Sequence, residues 1–292
     1  MSSRIQLRPA VVLCLVVCLC AGLSGCFVRK RVLTPPQGTP ANRPILTASK
    51  DELLQRIHST FDPILNFSMR ADMSPSVGSV YTGALTDYAT IRAYVLFART
   101  SEIRVIGLDP VVHSSTIFDM VSSGNDYRVS IPSRNEFIEG DNNAPPSSKN
   151  KLENLRPAAF LQSMIVESPA PGELTLLEDD TDETKAVYIV LILRQDAAGL
   201  RLIRSVFFNR YTLEIARQKT FDGQGGIVSE TRYSEWKPFN GTSFPTVIVI
   251  RRPLDGYEVT MDVLDLKVNS PEVTPEKFVL EQPAGSHVTR LK

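Results

Sequence analysis

Cysteine is almost missing from this chain: Cys14, Cys18, Cys20 and Cys26 are all it contains, and every one lies in the first 26 residues. The body that follows can form no intramolecular disulfide and no cysteine-ligated metal cluster. Histidine is nearly as scarce, with only His58, His113 and His287, scattered along the chain. No Gly-x-Ser-x-Gly elbow, no His-Glu-x-x-His pair and no Gly-rich phosphate loop between a strand and a helix occurs, so the chemistry an enzyme would need has no visible carrier. His113-Ser114-Ser115 reads as a solvated turn, since no orienting carboxylate accompanies it. Basic excess is absent too, 32 Lys and Arg against 32 Asp and Glu. That balance argues against a nucleic-acid partner, which would call for a basic surface. Glu178-Asp179-Asp180-Thr181-Asp182-Glu183 lacks the glycine and downstream glutamate of a calcium loop and reads as a solvated hairpin tip. No metal or cofactor is expected.

What the sequence does have begins at its N-terminus. Arg4 and Arg8 precede a charge-free apolar stretch from Ala10 to Leu23, followed by Leu23-Ser24-Gly25-Cys26. The stretch falls short of the roughly 20 residues a spanning helix needs, and with its positive start and small-residue end it has the layout of a secretory signal. The tetrapeptide resembles the lipobox of bacterial lipoproteins. The resemblance implies cleavage after residue 25, a diacylglycerol on the Cys26 sulfur and anchoring to a bilayer without a transmembrane helix. Phe27 stands where enteric bacteria place an aspartate to retain lipoproteins in the inner membrane, which implies an outer-membrane, periplasm-facing address. Losing Arg4 and Arg8 from 32 basic residues leaves 30 against 32 acidic ones, a net charge near −2.

Residues 26–48 carry Arg29, Lys30 and Arg31, then Pro35, Pro36, Pro40 and Pro44, and read as an extended lipidated tether. Residues 49–292 form one folded domain. It opens with a capping box, Ser49 and Glu52, ahead of Leu53, Leu54, Ile57 and Phe61 at helical spacing. After Pro63 the period changes to two, with Phe67, Met69, Ala71 and Met73 alternating against Ser68, Arg70 and Asp72. Strand-like runs follow at 88–99, 102–108, 115–122, 127–138, 174–177, 186–194, 200–209, 212–220, 227–236, 244–252 and 257–267. Turn residues punctuate them, among them Ser123-Gly124-Asn125-Asp126, Asp222–Gly226 and Asp255-Gly256. Many short strands with tight turns and few helices predict a mainly β (α+β) fold built on a large antiparallel sheet.

Two features point to an internal cavity. Both alternating sets of 186–194 are apolar, with Tyr188, Val190 and Ile192 on one side, so this strand is covered on both faces or borders a cavity. The segment from Arg156 to Val166, with Pro157 near its first turn, suits a short helix presenting Phe160, Leu161, Met164 and Ile165 as a lid or as ordinary core. Methionine and phenylalanine repack readily around acyl chains.

The order of these elements resembles the superfamily of the periplasmic lipoprotein carrier LolA and its outer-membrane receptor LolB. The resemblance rests on the opening helix, the strand Tyr94-Val95-Leu96-Phe97-Ala98-Arg99, Glu102-Ile103-Arg104-Val105, the hairpin through Ile117-Phe118-Asp119-Met120 and Ser123-Gly124-Asn125-Asp126-Tyr127, the mid-chain helix, and the closing Thr274-Pro275-Glu276-Lys277-Phe278-Val279-Leu280. It implies a curved antiparallel sheet forming an incomplete β-barrel with a helical lid. The enclosed apolar cavity would receive acyl chains of lipoproteins or lipids, lined by Phe97, Phe160, Leu161, Met164, Ile165, Tyr188, Val190 and Ile192. Arg99 matches in position the arginine that gates the carrier, although Thr100 stands where the carrier has proline. The expected function is a non-enzymatic role in lipoprotein sorting, by a monomer bound to the membrane through its own lipid. The alternative is an envelope sensor or assembly subunit that uses the same fold for partner or lipid sensing; a hydrolase would require a polar triad inside the concavity.

Overall fold

The computed structural model describes residues 29–32, 45–79, 83–99, 101–112, 115–142, 157–182, 185–197 and 199–291. Residues 1–28, including Cys26, lie outside the described residues, as do most of the stretch read as a tether and His113.

The capping box forms as expected. The Glu52 carboxylate accepts from the Ser49 amide at 2.7 Å and the Ser49 hydroxyl accepts from the Glu52 amide at 3.3 Å, starting helix α1 (Lys50–Phe61), which buries Leu53, Ile57 and Phe61. A 14-residue strand, Asn66–Ser79, follows, with Phe67, Met69, Ala71 and Met73 all buried. In chain order the strands are β1 (Arg29–Val32), β2 (Asn66–Ser79), β3 (Ala84–Asp87), β4 (Ile91–Ala98), β5 (Glu102–Leu108), β6 (Thr116–Ser123), β7 (Asp126–Ile131), β8 (Glu136–Asp141), β9 (Leu174–Thr181), β10 (Ala186–Asp196), β11 (Gly199–Asn209), β12 (Ile215–Phe221), β13 (Ile227–Phe239), β14 (Thr242–Arg252), β15 (Tyr257–Val268) and β16 (His287–Leu291). Between β8 and β9 lies the second helix, α2 (Pro157–Met164).

All 16 strands belong to one sheet, ordered β16-β8-β7-β6-β5-β4-β2-β15-β14-β13-β12-β11-β10-β9, with β3 beside β2 and β1 beside β3. It consists of two antiparallel meanders, β2 to β8 and β9 to β15, joined where β2 pairs with β15. The ends of the order do not pair, so the curved sheet stays open and does not close into a barrel. Both helices lie on its concave side. There α1 packs on β10 and β14, and α2 bridges the meanders by packing on β5, β6, β13 and β14. The largest core cluster fills this space. A ring of aromatics holds its centre, with Phe61 edge-on to Trp236 at 6.3 Å and to Phe244 at 6.4 Å, and Phe67 between Phe244 and Phe97.

A smaller cluster of Val121, Phe137, Phe278 and Leu280 lies on the convex side. The closing segment crosses there, fixed by Arg104, which is paired with Asp119 and donates to the Lys277 carbonyl at 2.8 Å. β16 then adds parallel to β8. Among the described residues, every member of both clusters falls between Ala48 and Leu280. A chain beginning at residue 27 therefore retains every described core residue.

Three departures from the sequence reading have local causes. The run read as one strand at 127–138 is two, because Pro132 opens a single 3-10 turn (Pro132–Arg134) and Asn135 takes φ +51°; proline lacks the ladder N–H and asparagine tolerates that conformation. β12 starts at Ile215 and not at Thr212, because the Asn209 carbonyl accepts from the amides of Thr212 and Leu213 and Leu213 sits at φ +57°. Arg29–Val32, within the stretch read as a tether, is strand β1.

Candidate functional site

The concave face is wider than the two helices can cover. On β2 and β4 to β8 the inward set is apolar: Met73, Ile91, Phe118, Met120, Val129, Ile131 and Ile138. α2 packs on β5 and β6 but supplies none of the walls of the space these side chains face. What remains is a cavity of about 480 Å³ with these side chains as its walls. Gly107 on β5 helps shape it. A Cβ there would come within 2.5 Å of the Phe118 ring, so only glycine lets that ring lie flat against the sheet.

The mouth is formed by the loop from β5 to β6. The Asp109 carboxylate accepts from the amides of Val111 and Val112, each at 2.8 Å, an Asx turn that sets the loop's shape. Val111 and Val112 are nonetheless 74% and 56% exposed. Of the two, Val111 lines the cavity and carries its apolar surface out to solvent. Asp109, Ser133 and Arg134 supply polar atoms at the rim.

A second cavity, about 570 Å³, lies between α2 and the turns after β4 and β6. Its lining is mixed, with Phe97 and Ile165 beside Arg99, Gln162, Asn142 and Glu167.

The residues singled out from sequence are distributed as follows. Phe97 and Ile165 reach the second cavity, and Phe97 packs on Phe67 with centroids 5.0 Å apart. Phe160 and Met164 on α2 are buried in the main core, as are Tyr188, Val190 and Ile192 on the concave face of β10. The Leu161 side chain lies outside the description, as does Cys26. Arg99 donates from Nε to the Ile64 carbonyl at 2.6 Å and from a terminal nitrogen to the Phe61 carbonyl. It thus caps the C-terminal end of α1 and ties it to the end of β4. The walls of the first cavity went unnamed in the sequence reading. Their signal was there in the inward alternation of Ile117 to Ile138, on strands for which the sequence offers no third helix.

α2 is held down at its last turn. The Tyr233 hydroxyl donates to the Ser163 carbonyl at 2.6 Å and the Gln218 amide to the Gln162 carbonyl at 3.0 Å, so side chains of the sheet satisfy carbonyls that a helix end leaves open. Burial pushes the Tyr233 phenol well above the usual tyrosine range, keeping it a donor. Arg204 is opposite Ile192 on β11; burial lowers its pKa, opposed by the charges of Glu167 and Glu173.

Among the described residues, reactive groups do not converge on a catalytic arrangement. His58 pairs with Asp62, which also accepts from the Ser168 hydroxyl at 2.9 Å. The carboxylate therefore sits between hydroxyl and ring, and the ring is not placed to take the hydroxyl's proton. In the acidic run, Asp179 binds Arg210 through both oxygens at 2.9 Å, and Asp180 and Asp182 face Lys185. Among the described residues no group of three or more His, Cys, Asp or Glu is arranged to hold a metal ion.

Neither a family model nor a curated protein matches the sequence. Solved structures do match in shape. A LolA superfamily protein from Nitrosomonas europaea aligns with a TM-score of 0.50 at 14% identity, over 80% of this chain and 99% of its own. A DUF1329 family protein from Desulfovibrio piger aligns with a TM-score of 0.50 at 14% identity, over 78% of this chain and 95% of its own. The chain has the LolA-like fold, an open curved sheet around two helices. At this identity the likeness speaks for the fold, and the function is argued from the site.

Proposed function

We propose that this protein is an envelope lipoprotein, anchored to the outer membrane through Cys26, that takes an acyl chain of a lipid or lipoprotein into the concavity of its sheet. The carrying observation is the cavity between β2 and β8, about 480 Å³, with mainly apolar walls and the exposed Val111 in its lining. Apolar walls with a few rim polar groups suit an amphiphile whose tail is buried and whose head stays wet. Transfer on this reading makes and breaks no covalent bond. The chain exchanges one apolar environment for another, and each buried methylene contributes about 0.8 kcal/mol.

Helix α2, with Phe160, Leu161 and Met164, together with Ile165 just after it, is the cover in this proposal. Its displacement would extend the lining towards Tyr188, Val190 and Ile192, and Arg99 would hold α1 in place while α2 moves. The test is native mass spectrometry of residues 27–292 with palmitate and with a diacyl phospholipid. Stoichiometric uptake, lost on Phe118→Glu with the fold intact, supports acyl binding; a chain that stays empty with both lipids refutes it.

One observation favours the second reading, a partner-binding sensor or assembly subunit. On the convex face Leu174 and Leu176 of β9 are 53% and 55% exposed and lie opposite Leu193 and Leu191 of β10. With Leu200 and Leu202 they make a leucine strip that belongs to neither core cluster, at the unpaired end of the sheet. Loss of partner co-purification on Leu174→Glu with Leu176→Glu, in a chain that binds no lipid, would select this reading.

A further inference from the structure

The mouth of the cavity and the N-terminal strand are neighbours. β1 runs antiparallel to β3 with Arg29 opposite Asp87 and Val32 opposite Ala84, so the chain enters β1 at the Asp87 end of β3. The next two residues beyond Asp87, Tyr88 and Ala89, are cavity walls. Tyr88 is fixed there by its amide, which donates to the carbonyl of another wall residue, Pro75, at 2.9 Å. Only Phe27 and Val28 separate Cys26 from Arg29, so the three steps between them span at most about 11 Å.

The cavity's size limits what it can hold. A methylene occupies about the volume of a water molecule in its liquid, roughly 30 Å³, so about 480 Å³ accepts about sixteen methylenes. That is about the size of one acyl chain.

We infer that the protein's own anchor is the first occupant of this site: one acyl chain on Cys26 folds back past Tyr88 and Ala89 into the cavity, and cargo must displace it. The inference rests on the proposed lipidation of Cys26 and on the acyl-binding reading of the cavity. A methylene leaving the bilayer for these walls exchanges one apolar surface for another, so the swap lies near balance. The further acyl chains of Cys26 stay in the membrane while one is lodged. Because the space is about that of one chain, self-occupancy and cargo compete for it, and the anchor acts as a built-in competitor.

The test uses the full chain, lipidated in its host and carrying a photoreactive p-benzoylphenylalanine in place of Val111 at the mouth, Ile117 on the wall, or Leu176 on the convex face. After irradiation and trypsin, mass spectrometry identifies what is attached. The expected result is the lipidated peptide Cys26–Arg29 joined to position 111 or 117 of the same chain, at least tenfold above position 176, and absent in Cys26→Ser. Adducts at 111 and 117 with other lipids only would overturn self-occupancy and leave the acyl-binding reading standing. Absence of any lipid adduct would overturn both, and equal capture of Cys26–Arg29 at position 176 would overturn self-occupancy as unspecific. Val111 is 74% exposed, so the variant at the mouth keeps the test valid if the bulkier wall variant fails to fold.

Discussion

The hydroxyl of Tyr233 on β13 donates to the main-chain carbonyl of Ser163 in the last turn of α2, at 2.6 Å. This bond joins the sheet of the second meander to the helix that also covers the first. Ser163 and Tyr233 are both buried, so water cannot replace the donor if it is lost.

Tyr233→Phe therefore removes the buried hydrogen bond to the Ser163 carbonyl. The expected loss is about 1–3 kcal/mol of stability, read as a lower urea midpoint. Proteolysis near residues 157–166 should rise as well. An unchanged midpoint would mean that α2 is not held by this bond.

The same residue sets a pH dependence. Burial raises the folded-state pKa of the phenol, so the unfolded chain gives up this proton first as pH rises. The stability contributed by Tyr233 is complete below about pH 10, the unperturbed tyrosine value, and is lost above it. The thermal midpoint of the unsubstituted protein should fall more steeply above pH 10 than that of Tyr233→Phe. Equal slopes would contradict the assignment.

Core and cavity residues should separate in their phenotypes. Phe160 is 1% exposed within the main cluster, and Phe160→Ala should cost about 3–5 kcal/mol. Phe118 is only half-buried and faces open space, so Phe118→Ala should cost far less in thermal unfolding yet alter lipid uptake. A large loss of stability at both positions would mean that the cavity is closed by packing.

Gly107 offers a way to shrink the cavity without touching its mouth. An alanine Cβ would meet the Phe118 ring at 2.5 Å and the end of Ile91 at 2.9 Å, and both are far ends of side chains that can swing inward. Gly107→Ala should fold and bind an acyl probe roughly tenfold more weakly, a difference of about 1.4 kcal/mol. Unchanged affinity would place the lipid elsewhere.

Much of this architecture is legible in the sequence because local rules and tertiary needs coincide. Ser49 and Glu52 fix the start of α1, and Phe67 to Met73 show which side of β2 is inward. On β10 the inner set, Tyr188, Val190 and Ile192, is core with α1 packed on the strand, whereas Leu191 and Leu193 of the outer set are half-buried outside both clusters, so the expected cover on both faces is not met there. Legibility ends where a feature depends on what is missing opposite a residue. Ile117, Phe118 and Met120 look like any inward-facing strand, and only the reach of α2 shows that part of their surface has no covering partner. β3 and β16 are short strands stabilised by the neighbours they join, and Arg29–Val32, charged and flanked by a proline-rich stretch, carries no apolar alternation by which to be read as β1. Arg99 was singled out by its position after an aromatic strand, but its part in ending α1 follows from three-dimensional proximity to the Phe61 and Ile64 carbonyls.

The most direct measurement is a crystal structure of residues 27–292 grown with a brominated fatty acid, located by the anomalous scattering of bromine. The account predicts one bromine site per chain, within the walls formed by Met73, Ile117, Phe118 and Met120. Bromine confined to the convex strip of Leu174, Leu176 and Leu193, or absent from the concave face altogether, would contradict it.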